Sequence, residues 1–361
     1  MNIEPDDSVS PAERRDSTNP PRVLVVGSHI FPDALEWHIV DSFRHQDCPV
    51  EFFETQFVSS GTPGPLQYIM RKGSALLLRE PERMFESRLV RKAQQFDPAL
   101  ILVTLGNQVS PKTIALLRTA TKAKIVCWCQ DQMTTIGRQF LLGCEYDAVF
   151  VKDRYMQDLF SRMVRSTPFY YLPEACNPRV HRTVELNSGE RKFYDCDVMI
   201  AGTLYYYRQE ILRQLTDFDL KIWGMRPDWL LSRLKSRYFG KPVFADDKAR
   251  AVAGAKVCLN TLHYGEVDGL NCRAFEIAGC GGFQLITSVP VLGEHFALGS
   301  EIVEFRTTAQ LVELIRHYLD HPELAAQIAR RGQERAHRDH TFEHRLKEIM
   351  RIALGYEAVA A

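Results

Sequence analysis

Residues 255–288 read AKVCLNTLHYGEVDGLNCRAFEIAGCGGFQLITS, and this stretch decides the fold. It begins and ends with short apolar runs, AKVCLN and FQLIT, which are typical of buried strands. Between them, Asn271 is a good N-cap for a helix over Cys272–Gly279, and Gly281 and Gly282 release the chain into the next strand. Strands without polar alternation, separated by helices, indicate a parallel sheet that is covered on both faces.

The same strand, loop and helix unit recurs along the chain. Before this stretch, the apolar runs RVLVV, ALILVTL, AKIVCWC and YDAVFV alternate with helical segments such as SPKTIALLRTATK. A second series begins at CDVMIAG and continues through LKIW, AKVCLN, FQLITS and EIVEF. The pattern predicts an α/β protein with two doubly wound, Rossmann-like domains. Ligands of such sheets bind beyond the carboxyl ends of the strands, so we expect the functional site in the cleft between the domains.

The domain boundaries follow from this repeat. Residues 1–20 are polar and lack the apolar middle of a signal peptide, so we expect a disordered tail. Residues 21–178 form the first Rossmann-like domain and residues 179–335 the second. Residues 336–361 form a C-terminal helix that packs back on the first domain. The crossing segment, YYLPEACNPRVHRTVELNSGERKFY, has no sustained period.

Composition excludes several classes of function. Lys+Arg and Asp+Glu are 45 each, so no overall charge favours nucleic acid. No apolar run reaches about 18 residues, the length of a membrane span. The nine cysteines lie mostly in apolar runs, which predicts buried, reduced thiols and a cytoplasmic location. Cys127 and Cys129 would share a strand face, but no second Cys/His pair has metal-binding spacing.

A basic and apolar region covers residues 66–95. Its sequence, LQYIMRKGSALLLREPERMFESRLVRKAQQ, has a helical pattern. The ordinary interpretation is a solvated helix face. The alternative is a patch for peripheral membrane contact or for an anionic acceptor.

The helix at Cys272–Gly279 carries the strongest chemical pattern. Arg273 and Glu276 are three residues apart and share a face, and Asp268 lies in the loop before the helix. The loop and the first-turn amides favour a phosphate, to which Arg273 adds a bidentate contact. Glu276 can accept hydrogen bonds from vicinal ribose hydroxyls. The group suits a nucleoside diphosphate, although a surface pair between Arg273 and Glu276 explains the same spacing.

KVCLNTLHYGEVDGLNCRAFEIAGCGGFQL resembles the donor-binding segment of CgeB-like (spore maturation protein type) GT-B glycosyltransferases. Those proteins carry LN…H, then LN-x-R-x-FE, then a glycine-terminated helix. The resemblance continues through FDPALILVTLGN, KIVCWCQDQ, DVMIAGTLYYYRQEIL and the terminal helices, in the same order. It implies a GT-B fold with a nucleotide-sugar donor in the second domain and an acceptor in the first.

The acid spacing also resembles the retaining GT-B enzymes. Many of them have two glutamates with seven residues between them. Here the second position is Glu276, but the first is Asp268, which is one methylene shorter. Glu266, two residues earlier, is an alternative for that role. The spacing favours retention of configuration.

Further donor-side residues follow from the same resemblance. Gly202 and Thr203 lie in the loop after the second domain's first strand, so their amides would face the diphosphate. Arg208 resembles the family's arginine at the start of the next helix. The remaining candidates are Trp223 and Gly224 near the base, Phe244 for stacking on the base, and Asn271, Arg273 and Glu276 on the helix described above. Arg208 as a solvated residue and Trp223 as a core residue are the ordinary alternatives.

Acceptor-side and catalytic candidates lie at strand ends. Gly27, Ser28 and His29 form the loop after the first strand, where glycine lets the backbone approach the cleft. The catalytic candidates are Asp131, His263 and Asp268. Asp131 follows a strand and can accept or orient the acceptor's hydroxyl proton, unless it only caps its loop. His263 ends the CLNTLH strand and is otherwise a structural histidine. The LPEAC turn around Glu174 also faces the cleft.

The sequence therefore predicts a glycosyltransferase that moves a sugar from a nucleotide-diphosphate sugar to a glycan, lipid or protein hydroxyl. No acid pair of the DxD type follows a strand, and Asp246 and Asp247 precede a helix as caps, so no metal or cofactor is expected. A nucleotide-sugar epimerase of similar fold and a non-catalytic coat or assembly protein are the alternatives. A dehydrogenase is disfavoured because VGSHIFPD lacks the full G-x-G-x-x-G pattern.

Overall fold

The computed structural model describes residues 20–28, 30–55, 79–104, 109–132, 139–225, 227 and 229–356. Side chains of residues 79–83 are not part of that description. The predicted tail over residues 1–19, His29 and the first part of the basic region, residues 66–78, lie outside the described residues.

The first domain contains a sheet of six parallel strands in the order β2-β1-β3-β4-β5-β6. Within the described residues its elements are β1 (Val23–Gly27), α1 (Leu35–His45), β2 (Val50–Glu54), α2 (Arg79–Phe96), β3 (Leu100–Thr104), α3 (Pro111–Ala120), β4 (Lys124–Cys129), β5 (Ala148–Val151), α4 (Arg154–Met163) and β6 (Phe169–Tyr171). The strands β1, β3 and β5 are buried along their whole length, as the continuous apolar runs predict.

The second domain contains a sheet of five parallel strands in the order β11-β10-β9-β7-β8. Its elements are α5 (Ser188–Tyr194), β7 (Cys196–Ala201), α6 (Tyr206–Leu212), β8 (Leu220–Trp223), α7 (Ala245–Ala253), β9 (Ala255–Asn260), α8 (Cys272–Gly279), β10 (Gln284–Thr287), α9 (Leu292–His295) and β11 (Val303–Phe305), followed by α10 (Thr308–Asp320), α11 (Pro322–Asp339) and α12 (Phe342–Leu354). The prediction of two doubly wound parallel sheets is confirmed.

The crossing segment has more structure than its irregular sequence indicated. It contributes the edge strand β6 and the helix α5, whose start Asn187 fixes through a reciprocal capping box with Glu190. Its middle is buried, because Asn177 and His181 lie completely inside the protein. The crossing is thus a packed joint between the two sheets.

The last helix returns to the first domain. Phe342, Leu346 and Ile349 of α12 belong to the core formed by one face of the first sheet and α1. Thr341 caps this helix and pairs with Cys176 in the crossing segment. The C-terminal helix therefore joins the second domain back to the first. This contact helps to fix how the carboxyl ends of the strands in the two sheets face each other.

All nine cysteines lie within the described residues and none is in a disulfide; eight are buried and Cys272 is half-buried. No helix among the described residues combines the length and apolar character that a bilayer span requires.

Candidate functional site in the interdomain cleft

A cavity of about 300 Å³ opens between the two domains. It is lined from the first domain and the crossing segment by Ser28, Leu35, Glu36, Gln130, Asp131, Gln132, Lys152 and Glu174, and from the second domain by Tyr205, Arg208, His263, Glu266, Asn271, Cys272 and Arg273. These residues follow or flank the carboxyl ends of strands in both sheets. The cleft predicted from the doubly wound pattern therefore exists, and both domains contribute polar side chains to it.

Arg208 is a buried cation at the base of this cavity. It lies in the first turn of α6 with only 2% of its surface exposed. Its guanidinium donates to the hydroxyl and the carbonyl of Thr261, each at 2.7 Å, and to the carbonyl of Thr203. Burial and the neighbouring Arg273 lower the pKa of Arg208 to about 9. Because its recorded partners are all uncharged, its positive charge is not neutralised by them.

Arg273 is the second cation of the cavity. The N-cap Asn271, whose side chain accepts from the amide of Ala274, starts α8 and so places Arg273 in its first turn. Within the described part of the chain, the Arg273 guanidinium has no hydrogen-bond or ion-pair partner. Two adjacent guanidinium groups without a carboxylate partner form a site for an anion that carries more than one charge.

Gly202 makes room for these arginines. A Cβ at this position would lie 2.7 Å from Nη1 of Arg273, and its φ of 122° is a conformation that other residues rarely adopt. Gly224 is required for a related reason, since its Cβ would lie 2.1 Å from the carbonyl oxygen of Gly202. The exposed Thr203 follows in the same loop. The loop is thus held close to both cations.

Two of the predicted base contacts lie elsewhere. Trp223 is 1% exposed and packs against Phe239 and Phe193 in the core of the second domain, so the core alternative is correct. Phe244 is exposed, but it makes an edge contact with Phe31 of the first domain and does not line the cavity. The sequence placed both residues near the cleft without showing which way their rings point.

Lys152, Glu174 and Glu266 form a buried charge group in the cavity wall. Nζ of Lys152 lies 2.7 Å from Glu266 and 3.5 Å from Glu174. Burial raises the pKa of Glu174 to about 7, although Lys152 opposes this shift. Lys152 and Glu174 come from the first domain and the crossing segment, and Glu266 from the loop after β9, so the group spans the cleft.

Among the described residues, two buried polar atoms at this cavity have no hydrogen-bond partner. They are Oε2 of Glu266, which is an acceptor, and Nε2 of Gln130, which is a donor. Both residues line the cavity, and buried polar groups are rarely left without partners. A donor and an acceptor of this kind are suited to ligand hydroxyls, each of which can both accept and donate a hydrogen bond.

Asp131, His263 and Ser28 also line the cavity. The carboxylate of Asp131 is exposed at the end of β4. His263 accepts a hydrogen bond at Nδ1 from the amide of Gly265, and burial lowers its pKa, which favours the neutral ring. Ser28 donates its amide to Glu36. Gly27 lies just behind, where a Cβ would meet Glu36 at 2.5 Å.

Asp268 does not line the cavity, and its predicted catalytic role is not supported. Its Oδ1 accepts from the amide of Val291 at 2.8 Å, and its own amide donates to Asp153. Asp268 therefore anchors the loop between β9 and α8. Glu266, the alternative acid, is the one that faces the ligand space. Sequence spacing could not separate these two acids, because a loop has no fixed period.

Glu276 lies in an ion network behind the cavity. Its Oε2 is 2.9 Å from Nζ of Lys248, which is also 2.7 Å from Asp33 of the first domain. Burial would raise the pKa of Glu276, but Lys248 and then His181 hold it below its ordinary value. Glu276 is thus a paired, buried carboxylate at the joint between domains, and no ribose contact follows from its position.

The same network contains four side chains with metal-binding atoms, namely Asp33, His38, His181 and Glu276. Nδ1 of His181 accepts from the amide of Asn177, so its Nε2 carries the proton that it donates to Asp33. A protonated Nε2 has no lone pair for a metal, and the Lys248 ammonium lies between the two carboxylates. This network therefore does not fit a metal ion.

The position of Glu276 gives a prediction that separates a structural role in the ion network from a role in binding the ribose. We expect Glu276→Gln to lower the free energy of unfolding by about 1–3 kcal/mol, because Lys248 loses a charged partner. Nucleotide affinity should remain close to that of the wild type. Urea unfolding and calorimetry on the same preparation measure both quantities. Unchanged stability together with weakened nucleotide binding would restore the ribose role.

The comparisons with known proteins concern the fold. Residues 208–351 match a family described as glycosyl transferase-like. Similar solved structures include a sucrose-phosphate synthase from Thermosynechococcus elongatus, with 12% identity, a TM-score of 0.63 and coverage of 92% of this chain and 98% of that one. Anabaena Alr3699/HepE in complex with UDP and glucose has 12% identity, a TM-score of 0.61 and coverage of 93% and 100%.

A third similar structure is a UDP-forming α,α-trehalose-phosphate synthase from Burkholderia xenovorans, with 12% identity, a TM-score of 0.60 and coverage of 94% and 100%. No curated protein matches the chain by sequence. At this level of identity the structures establish the fold, which is GT-B as predicted.

Proposed function

We propose that the protein is a glycosyltransferase that moves a sugar from a nucleoside-diphosphate sugar to a hydroxyl acceptor. The observation that carries this proposal is the pair of cations Arg208 and Arg273, which share a cavity and have no carboxylate at ion-pair distance among the described residues. Glu266, which pairs with Lys152, offsets the charge of Arg208 only from further away. A diphosphate brings the missing negative charge. Its charge grows as the sugar leaves, so the two arginines stabilise the departing nucleotide more than the intact donor.

The sugar is expected to lie beside the diphosphate, where Gln130 and Glu266 leave a donor and an acceptor without partners. Hydroxyls of the sugar would supply the missing partners, one atom belonging to the first domain and the other to the second. Unpartnered atoms of this kind also reject a ligand without the hydroxyl, because both groups would then stay buried and unsatisfied.

Asp131 and His263 are the groups placed to handle the acceptor. Asp131 is an exposed carboxylate at the cavity and can accept or orient the hydroxyl proton. His263 is a neutral ring that can hydrogen-bond a hydroxyl without adding charge. Because Asp268 and Glu276 lie outside the cavity, the acid spacing no longer supports retention. The acids that line the cavity are Glu36, Asp131, Glu174 and Glu266.

A thermal-shift panel of UDP, GDP, TDP and CDP tests the nucleotide. HepE is recorded with UDP and glucose, so UDP is the first ligand to try. A nucleotide that binds only the folded protein stabilises it by about 2.7 kcal/mol at 100 times its dissociation constant. Incubation with the matching nucleotide-sugar then separates transfer or hydrolysis from isomerisation of the sugar. Absence of a shift with all four nucleotides would contradict the proposal.

Metal-independent turnover belongs to the same proposal. Because two arginines neutralise the diphosphate, we expect activity to persist in EDTA and not to rise on addition of Mn²⁺ or Mg²⁺. The measurement is release of nucleotide from the donor with and without chelator. Activity that disappears in EDTA and returns with a divalent ion would show that the arginines are not sufficient.

Peripheral membrane contact through the basic region stays a prediction. Its described part, α2, contributes Arg88, Arg91 and Lys92 to a second concavity of about 350 Å³ on the outer edge of the first sheet. Phe52 and Phe53 also line this concavity, away from the cleft.

A further inference from the structure

Four aromatic rings form a continuous row from the cavity to the protein surface. Tyr205 and His263 have ring centroids 4.8 Å apart, His263 and Tyr264 4.1 Å, and Tyr264 and Tyr207 6.1 Å. Tyr205 and His263 line the cavity, whereas Tyr264 is 71% exposed and Tyr207 46% exposed. We call these four residues the aromatic row.

We propose that the aromatic row binds a saccharide chain of the acceptor as it leaves the cavity. This inference rests on the proposed function and names the acceptor as a glycan. All four residues of the row belong to the second domain, so the acceptor site would extend from Asp131 of the first domain onto the facing rim of the second. Contiguous exposed apolar surface tends to mark binding sites, and the exposed rings of Tyr264 and Tyr207 adjoin each other. The row begins inside the cavity, so a ligand lying on it has one end near Asp131 and the unpartnered atoms of Gln130 and Glu266.

The loop that carries half of the row is fixed in place. The carbonyl of Gly265 accepts from Gln132, Glu266 pairs with Lys152, and the amide of Val267 donates to Asp153 at 2.9 Å. All three partners belong to the first domain. The backbone next to His263 and Tyr264 is therefore held before any ligand arrives, which reduces the entropy that ordering this loop costs.

The chemistry of the row favours a saccharide over a lipid chain. The row consists of tyrosine and histidine rings, which have apolar faces and polar edges. It contains no aliphatic side chain. Among the described residues, the hydroxyls of Tyr207 and Tyr264 have no hydrogen-bond partner. Neighbouring rings of the row cover part of one another's faces, and Tyr264 and Tyr207 keep the most exposed surface. A sugar ring presents C–H groups on its faces and hydroxyls on its edge, so it can contact both the open ring surface and the hydroxyls of these two tyrosines. An alkyl chain would cover the polar edges without replacing their contacts with water.

Two variants test the row, and a third is a matched control. Tyr264→Ala and Tyr207→Ala each remove an exposed ring of the row. Tyr206→Ala removes a neighbouring exposed tyrosine that is 59% exposed and makes no ring contact with the row among the described residues. The probes are an oligosaccharide array for binding, calorimetry with UDP for the donor side, and phosphatidylglycerol vesicles for the lipid alternative.

We expect the wild type and Tyr206→Ala to retain the same oligosaccharides on the array. Tyr264→Ala and Tyr207→Ala should each weaken that retention about ten-fold or more, as expected for the loss of an aromatic anchor. UDP affinity should not differ among the four proteins. Three results would overturn the inference: no oligosaccharide retained by the wild type, equal retention by Tyr264→Ala, or a loss that appears with vesicles instead of oligosaccharides.

Failure of the inference and failure of the proposed function give different results. If the wild type turns over a nucleotide-sugar and Tyr264→Ala retains glycans normally, the aromatic row does not bind the acceptor, but the proposed glycosyltransferase activity is supported. If glycan retention depends on Tyr264 but no nucleotide binds, the surface is a glycan site and the transferase proposal fails.

Discussion

Replacing Arg273 with alanine is expected to weaken nucleotide-diphosphate binding by about 1.5–3 kcal/mol, or roughly 10- to 150-fold, for each charge-assisted hydrogen bond that is lost. The side chain has no partner among the described residues, so the fold should not depend on it. Its removal also takes a positive charge away from the buried Arg208, whose pKa that charge lowers. Calorimetry with UDP and urea unfolding measure the two effects.

Two variants define what this result means. Arg330→Ala removes an exposed arginine of α11 whose recorded partner, Glu334, is 4.0 Å away, and it should change neither quantity. Asp131→Asn should lower transfer while leaving nucleotide affinity nearly unchanged, because Asp131 comes from the first domain at the acceptor side of the cavity. If Asp131→Asn loses nucleotide affinity as severely as Arg273→Ala, the division between donor and acceptor domains is wrong.

The sequence was informative where a local pattern fixes a local structure. Asn271 fixes the first residue of α8, and Arg273 follows at a helical position whose direction the cap determines. Gly202 follows a buried strand, where the carboxyl edge of a parallel sheet must lie. For these reasons the cleft and Arg273 were predictable from local pattern, whereas Arg208 was predicted only from the family resemblance.

The roles of Asp268 and Glu276 depend on partners that no local pattern reveals. The helical spacing placed Glu276 on the face of Arg273, but one turn further along that helix the neighbour is Lys248 of α7 and, beyond it, Asp33 of the first domain. Asp268 meets Val291, which follows a separate strand. Such contacts arise only after the domains pack together.

The first-domain side of the cavity was the least predictable part. Lys152 and Gln130 each open a short polar stretch at the end of an apolar strand, and the sequence does not show which residue of that stretch faces the ligand. The short edge strand β6 and the helix α5 were hidden in a segment without sustained periodicity. A three-residue strand has too few positions for a repeating pattern to show.

The joint between the domains gives the largest expected effect on stability. Lys248→Met should lower the free energy of unfolding by about 3–5 kcal/mol, because Asp33 and Glu276 would remain buried without their cation. Urea unfolding at pH 7 measures the loss. Lys256→Met is the matched control, since Lys256 forms an exposed pair with Asp197 that is expected to contribute about 1 kcal/mol or less.

The pH dependence of the Lys248→Met variant distinguishes this mechanism from a simple loss of packing. Burial would raise the pKa of Asp33, but Lys248, His181 and His38 hold it well below its ordinary value in the folded protein. A carboxyl with a depressed pKa stabilises the fold above its unfolded pKa of about 4, and that contribution is lost as the pH falls. Without Lys248 the buried carboxyls are costly when ionised and tolerable when protonated. The loss in free energy of unfolding of the variant relative to the wild type should therefore be greatest at pH 7 and shrink toward pH 4. A packing defect would give the same loss at both pH values.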